Sequence, residues 1–178
     1  WNRELGGGAL LDAGVYPISF ASSVLGAPTS IAAKGVLTST GVDATAALLL
    51  QHADGAIAQL TTSMVTSVPT TATIMGSAGR LDVLSPFFGP TGVELRTGSL
   101  GSEQKVSWRD ERFDVLHDGM ADEITAFASY VAEHRTESPI HPHHEIVSVM
   151  GTIDEARRQI GGERDRGRVS DHGRRVEQ

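Results

Sequence analysis

Cysteine is absent from the chain, so it can build neither a disulfide framework nor a thiolate metal site. Aromatic residues make up only 5% of the sequence, and lysine occurs only at Lys34 and Lys105. No stretch approaches the roughly 18 consecutive apolar residues needed to span a bilayer. The N-terminus also lacks the basic, apolar and small-residue order of a secretory signal. There is no basic stripe interleaved with aromatics, and the net charge of −7 argues against a nucleic-acid backbone as partner. Together these absences predict a soluble chain suited to a reducing cytoplasm, with no membrane or nucleic-acid partner.

What is present suits one folded domain. The 178 residues, 39% hydrophobic and 21% charged, suffice for a core, and Ala, Val, Leu and Ile take the place of the missing aromatics. The chain opens on Trp1 without an initiator methionine, five residues before a run of glycines. Such a start reads as a piece excised from a longer protein.

The most informative stretch is Gly6-Gly7-Gly8-Ala9-Leu10-Leu11-Asp12-Ala13-Gly14-Val15-Tyr16. Glycines give way at once to an apolar run with helical spacing, which predicts a helix over 8–25. Pro17 is expected to kink or break it one turn after Tyr16, and Gly26 with Pro28 to close it. Asp12 and Tyr16 are four residues apart and would project from one helix face. The carboxylate accepts hydrogen bonds and the phenol both donates and accepts, which is the inventory for handling the proton of an alcohol or ketone. Each residue also has an ordinary structural use, Asp12 complementing a helix dipole and Tyr16 packing at a half-buried position.

From Ser30 the texture changes to short runs of Thr, Val, Ala and Leu punctuated by turn signals. Strands are predicted over 45–51, 56–64, 70–75, 80–84, 93–97 and 104–108, paired as antiparallel hairpins. Their Thr-rich, half-polar face could meet solvent or a second copy of itself. The helical period returns over 119–134, with Met120, Ile124, Phe127, Ala128 and Val131 on one side, and again over 144–160, with Ile146, Val149, Met150, Ile153 and Ala156 facing inward. Gly161-Gly162 should end the last helix, leaving 162–178 as a charged, disordered tail after a domain over 1–161. The predicted fold is α+β: an open, mostly antiparallel sheet with helices packed on one face.

The string GGGALLDAGVYPISFASSVLG resembles the start of the C-terminal domain in the glucose-fructose oxidoreductase, inositol dehydrogenase and rhizopine-catabolism (Gfo/Idh/MocA) family. There a GG-G-x-L-x-D-x-G-x-[YH] motif brings an acid and a Tyr or His to the substrate. The matching positions here are Asp12 and Tyr16, and the Tyr version is similar to the dihydrodiol dehydrogenase and glucose-fructose oxidoreductase branches. The closing Asp154-Glu155-Ala156-Arg157-Arg158-Gln159-Ile160-Gly161 is also similar to the family's last helix.

The resemblance implies a two-domain dehydrogenase whose Rossmann half, absent here, binds NAD or NADP. The C-terminal half would supply the substrate pocket and the interface of a homodimer or higher homo-oligomer. Substrates would be sugars, polyols or cyclic diols. Tyr16 would be the proton donor or acceptor, assisted by a lysine of a Glu-Lys-Pro motif in the absent domain, and Asp12 would orient the pair or bind substrate. Trp1, Gly7 and Gly8 are candidates for the substrate and cofactor cleft, with a frayed terminus the alternative for Trp1. The triple glycine has no strand before it and so does not read as a dinucleotide fingerprint.

The remaining candidates read as structural. His141, His143 and His144 lack the i, i+4 spacing of helical zinc ligands, so no metal site is expected. His52 falls in a turn and His117 before a helix. Arg96, Arg109 and Arg112 read as solvated charges, and no hydrolase triad accompanies Ser19, Ser22 or Ser23. The alternative to a dehydrogenase half is a non-catalytic association or ligand-binding module on the same fold. Under either reading the chain alone should be inactive.

Overall fold

The computed structural model describes residues 1–89, 92–98, 102–112 and 118–171. His117, residues 172–178 of the charged C-terminal segment and residues 90–91 of the turn before the sixth strand lie outside the described residues. The chain divides into two compact units, one of Trp1–Val68 with His143–Gln178 and one of Pro69–Pro142. The fold is α+β with antiparallel pairing throughout: β1 (Ser30–Leu37), β2 (Asp43–Gln51) and β3 (Ile57–Ser63) form one sheet, and β4 (Ala72–Gly76), β5 (Gly79–Val83), β6 (Gly92–Thr97) and β7 (Gln104–Arg109) another. The helices are α1 (Ala9–Asp12), α2 (Val15–Leu25), α3 (Asp118–Ala132) and α4 (His143–Asp171).

In the first unit, alternation along the strands sorts the three-stranded sheet into two faces. Pairing places Ile31 beside Leu50 and Ala58, Ala33 beside Leu48 and Leu60, and Gly35 beside Ala46 and Thr62. These rows form the inner face. Leu10, Ile18, Val149, Ile153, Ala156 and Ile160 close over it from α1, α2 and α4. The outer face carries Ala32, Lys34, Val36, Ala47, Leu49, Ile57 and Gln59, all exposed. Ile146 and Met150, expected inside, are exposed, because the buried stripe of α4 begins at Val149 and runs through Ile153, Ala156 and Ile160. The helix does not stop at Gly161-Gly162 but continues to Asp171.

Strand β1 is an edge, and α4 covers it with one side chain. The Gln159 amide acts as a short fourth strand: its Oε1 accepts the Ala33 N–H at 2.8 Å and its Nε2 donates to the Ile31 carbonyl at 2.9 Å. Glu155 holds that amide in place, accepting from Gln159 Nε2 at 2.7 Å and from Arg158 at 2.6 and 2.7 Å. Satisfying these two edge groups takes that part of β1 out of reach of strand addition.

In the second unit, the four-stranded sheet has a charged face and an apolar one. Asp82 meets Arg80 and Arg96, while Glu94 meets Arg96 and Lys105. The Thr73 hydroxyl, followed by the arginines, holds the Asp82 carboxyl below its ordinary range, and Lys105 and Arg96 do the same for Glu94. Arg96 and Arg112 are therefore paired, Arg112 with Asp110, and Arg109 is exposed. Among the described residues no helix is long and apolar enough to cross a membrane.

The edge clamp can be tested directly. Gln159→Ala leaves two part-buried backbone groups without their partner and should cost about 1–3 kcal/mol in urea unfolding, with faster exchange of the Ala33 amide. A change below about 0.5 kcal/mol would show that water replaces the clamp without loss. Bonding to Arg158, then Gln159, lowers the Glu155 pKa to about 2. Its contribution is therefore complete above the ordinary carboxylate range near pH 4.5 and fades as pH falls towards 2. A Glu155→Gln variant should lose that part of the acid dependence.

Candidate functional site

The motif around Asp12 and Tyr16 is built from two short helices. The continuous helix expected over 8–25 is broken, and the break lies at Ala13-Gly14, before Tyr16 instead of one turn after it. Pro17 is the cause. Its ring nitrogen cannot donate to the Ala13 carbonyl, and the ring would collide with that carbonyl in a continuous helix. In the first turn of α2 the same proline costs nothing, since that N–H has no intrahelical partner. α1 ends with the Ala13 and Gly14 amides both donating to the Ala9 carbonyl, at 3.0 and 2.8 Å. The break falls at a glycine because a Cβ on Gly14 would strike the Leu10 backbone at 2.7 Å.

Asp12 is thus the last residue of α1 and Tyr16 the second of α2. Both face solvent, Tyr16 with 48% of its surface exposed. A two-residue break at Ala13-Gly14, both in right-handed helical backbone, separates the two helices that carry them. Both side chains are solvent-accessible.

The glycines preceding them have packing reasons. Gly8 is buried at the N-cap of α1 with φ +132°, a region that only glycine occupies without strain. The space a Cβ would take is filled by the Asp43 carboxylate of β2. Asp43 is 3% exposed, and its Oδ2 accepts the Leu10 N–H at 2.6 Å. At Gly7 a Cβ would meet the Asn2 backbone at 2.8 Å, and the Gly7 amide donates to the Asn2 carbonyl at 2.9 Å. Trp1 is 51% exposed. A phosphate-binding glycine loop offers free amides at a helix start; here a carboxylate already occupies the α1 start, so these residues do not fit a dinucleotide pyrophosphate.

Thr62, buried on β3, is a second anchor, its hydroxyl donating to the Ala9 carbonyl at 3.2 Å. Neither Asp43 nor Thr62 was marked by sequence reasoning. The available signal was Asp43 opening the otherwise uncharged run Asp43-Ala44-Thr45-Ala46-Ala47-Leu48-Leu49-Leu50.

Other features lie away from this motif. An open depression of about 670 Å³ over β1–β3 is lined by Lys34, Ala47, Leu49, Gln59 and Arg158 among others, and no residue of α1 or α2 lines it. His52 is buried with its Nδ1 2.9 Å from the Gly26 carbonyl at the end of α2, a structural placement. His141, His143 and His144 do not converge, and among the described residues no group of His, Asp or Glu is arranged to hold a metal ion.

Comparison with known proteins agrees with this architecture. Residues 1–82 match the GFO/IDH/MocA C-terminal domain model. Trans-1,2-dihydrobenzene-1,2-diol dehydrogenase of Xenopus tropicalis is 32% identical over 171 residues, covering 89% of this chain and 48% of that protein. The Homo sapiens enzyme of the same name is 30% identical over 162 residues, covering 90% and 48%. Among solved structures, KijD10, a 3-ketoreductase from Actinomadura kijaniata in complex with NADP, superposes with a TM-score of 0.69 at 27% identity, over 86% of this chain and 48% of that one. UDP-N-acetylglucosamine 3-dehydrogenase GnnA from Acidithiobacillus ferrooxidans shares the fold, with a TM-score of 0.72 at 18% identity over 90% of this chain and 50% of its own. The chain spans about half the length of the curated relatives it matches. In fold, in its glycine-to-tyrosine motif and in these matches, the chain is similar to the C-terminal domain of the Gfo/Idh/MocA family.

Proposed function

We propose that this chain is the substrate-binding, proton-handling half of an NAD- or NADP-dependent oxidoreductase acting on a sugar, polyol or cyclic diol, in a soluble cytoplasmic protein that also carries a dinucleotide-binding domain. The observation that carries this reading is the solvent-facing Asp12 and Tyr16 pair on adjoining helix ends, in a chain about 30% identical to dihydrodiol dehydrogenases across nearly its whole length. The lack of a fit for pyrophosphate at Gly7 and Gly8 assigns the cofactor's phosphates to the other domain, with Trp1 left as a candidate at the cleft's rim.

Within this chain the work is proton management. Tyr16 gives a proton to, or takes one from, the substrate oxygen. Asp12 hydrogen-bonds a substrate hydroxyl or orients the phenol. A free tyrosine titrates near pH ~10, so working at neutral pH needs a cation nearby to favour the phenolate. Lys105 is paired with Glu94 in the second unit, and Lys34 lies on the outer face of the sheet that carries α1 on its inner face. Neither lysine is a candidate, and the family resemblance puts the cation in the dinucleotide-binding domain, as the lysine of a Glu-Lys-Pro motif.

The outer face of β1–β3 supports self-association. Leu49, Val36 and Ile57 are 46%, 65% and 62% exposed on that face, beside Ala32, Lys34, Ala47 and Gln59. A twofold pairing of that surface with its own copy would bury all three at once.

Two measurements check these assignments. In the cofactor-bearing protein, Tyr16→Phe should lower kcat with sugars or diols by about 10² to 10⁴, followed at the nicotinamide absorbance. Unchanged turnover would remove Tyr16 from the chemistry, and absence of any turnover or cofactor binding in the parent would favour the association module. Leu49→Asp should convert the assembly to monomer in sedimentation while leaving the circular dichroism intact. An unchanged sedimentation coefficient would place the interface elsewhere.

A further inference from the structure

We infer that Asp43, with Thr62, is a positioning residue for the Asp12 and Tyr16 site. The inference deepens the functional reading above and rests on it for the chemistry. α1 contains four residues, too few to hold a helical shape unaided, since helix nucleation is unfavourable and short helices are marginal in water. Its N-cap, Gly8, makes no side-chain cap bond. Two buried side chains from the sheet supply what the helix lacks.

Asp43 Oδ2 accepts the Leu10 N–H from 33 positions away, and its carboxylate fills the space over Gly8. Thr62 Oγ1 donates to the Ala9 carbonyl, the same atom that receives the Ala13 and Gly14 amides where α1 ends. One bond fixes the start of the helix and the other fixes its close. Between them they set the direction of Asp12 and the point at which the chain turns into α2 and Tyr16. Neither Asp43 nor Thr62 is accessible to substrate, both being 3% exposed. They act on the reaction through α1 alone.

A residue of this kind leaves a signature different from a general loss of stability. Displacing Asp12 and Tyr16 by a fraction of an ångström weakens transition-state contacts more than substrate binding. Asp43→Asn keeps the shape and one acceptor oxygen but removes the charge facing the α1 amides. Thr62→Val keeps shape and removes the hydroxyl. In the cofactor-bearing protein each should lower kcat at least tenfold with KM within about twofold. The Leu10 and Asp12 amides should exchange at least tenfold faster, while Ala46 and Leu48 in the centre of β2 keep their protection.

A uniform rise in exchange across β1–β3 would mark a stability role only and overturn the inference. So would an unchanged kcat in both variants while Tyr16→Phe loses activity, which would leave the functional reading standing. An unchanged kcat in Tyr16→Phe as well would remove the functional reading and this inference together. If Asp43→Asn fails to fold, Thr62→Val decides by the same three readouts.

Discussion

Everything in the first unit depends on how closely helices can approach one row of small residues. Gly35, Ala46 and Thr62 lie side by side across β1, β2 and β3. A Cβ on Gly35 would press on the Thr45 carbonyl and on the Ile160 side chain, so Ile160 of α4 packs directly over the strand. At the other end of the row Thr62 meets the Ala9 carbonyl of α1. Helices from opposite ends of the chain are thus seated on the same three residues. A larger side chain anywhere in the row would lift one of them, because close-packed interiors feel even a single added methylene.

The entry into α1 shows a local rule given up for a tertiary one. A Ser, Thr, Asp or Asn at the N-cap is the usual way to satisfy a first-turn amide. The backbone at Gly8, with φ +132°, admits none of them without strain. The cap therefore comes from β2, as a carboxylate taken almost wholly out of water. Burying a charge is costly unless it is well hydrogen-bonded, and the positive end of a helix offsets part of that cost. A neutral acceptor would have met the need of one amide more cheaply.

Most of the architecture was legible because periodicity and turn chemistry are local. Strand pairs around Asp54-Gly55 and Ala78-Gly79 emerged from alternation and turn residues alone, and their observed bounds differ from expectation by a few residues at most. Asp12 and Tyr16 stand out by type and spacing, while the break between the helices that carry them, at Ala13-Gly14, does not. Pro17 was weighed by its own position, whereas its steric effect falls four residues earlier, on Ala13. Asp43, Thr62 and Gln159 escaped notice because their partners lie 33, 53 and 126 or more positions away. No local pattern encodes a bond of that span. The glycine pair at 161–162 misled in the opposite sense, since a weak helix former ends a helix only where nothing else favours its continuation.

Two stripes show where such reasoning stops. Met120, Ile124, Phe127 and Val131 are spaced by four, three and four residues, and so are Val149, Ile153, Ala156 and Ile160. Both sets lie on helices, as the spacing requires. The second set is at most 6% exposed, while every member of the first is more than half exposed. The periodicity is the same, and the side chains of the exposed stripe are, if anything, larger. The difference lies in what faces each helix. α4 meets a sheet whose small central row lets it settle close, whereas α3 leaves its apolar stripe on the surface. Helical spacing therefore determines which residues share a face, and complementary volume on the opposing element determines whether that face is buried.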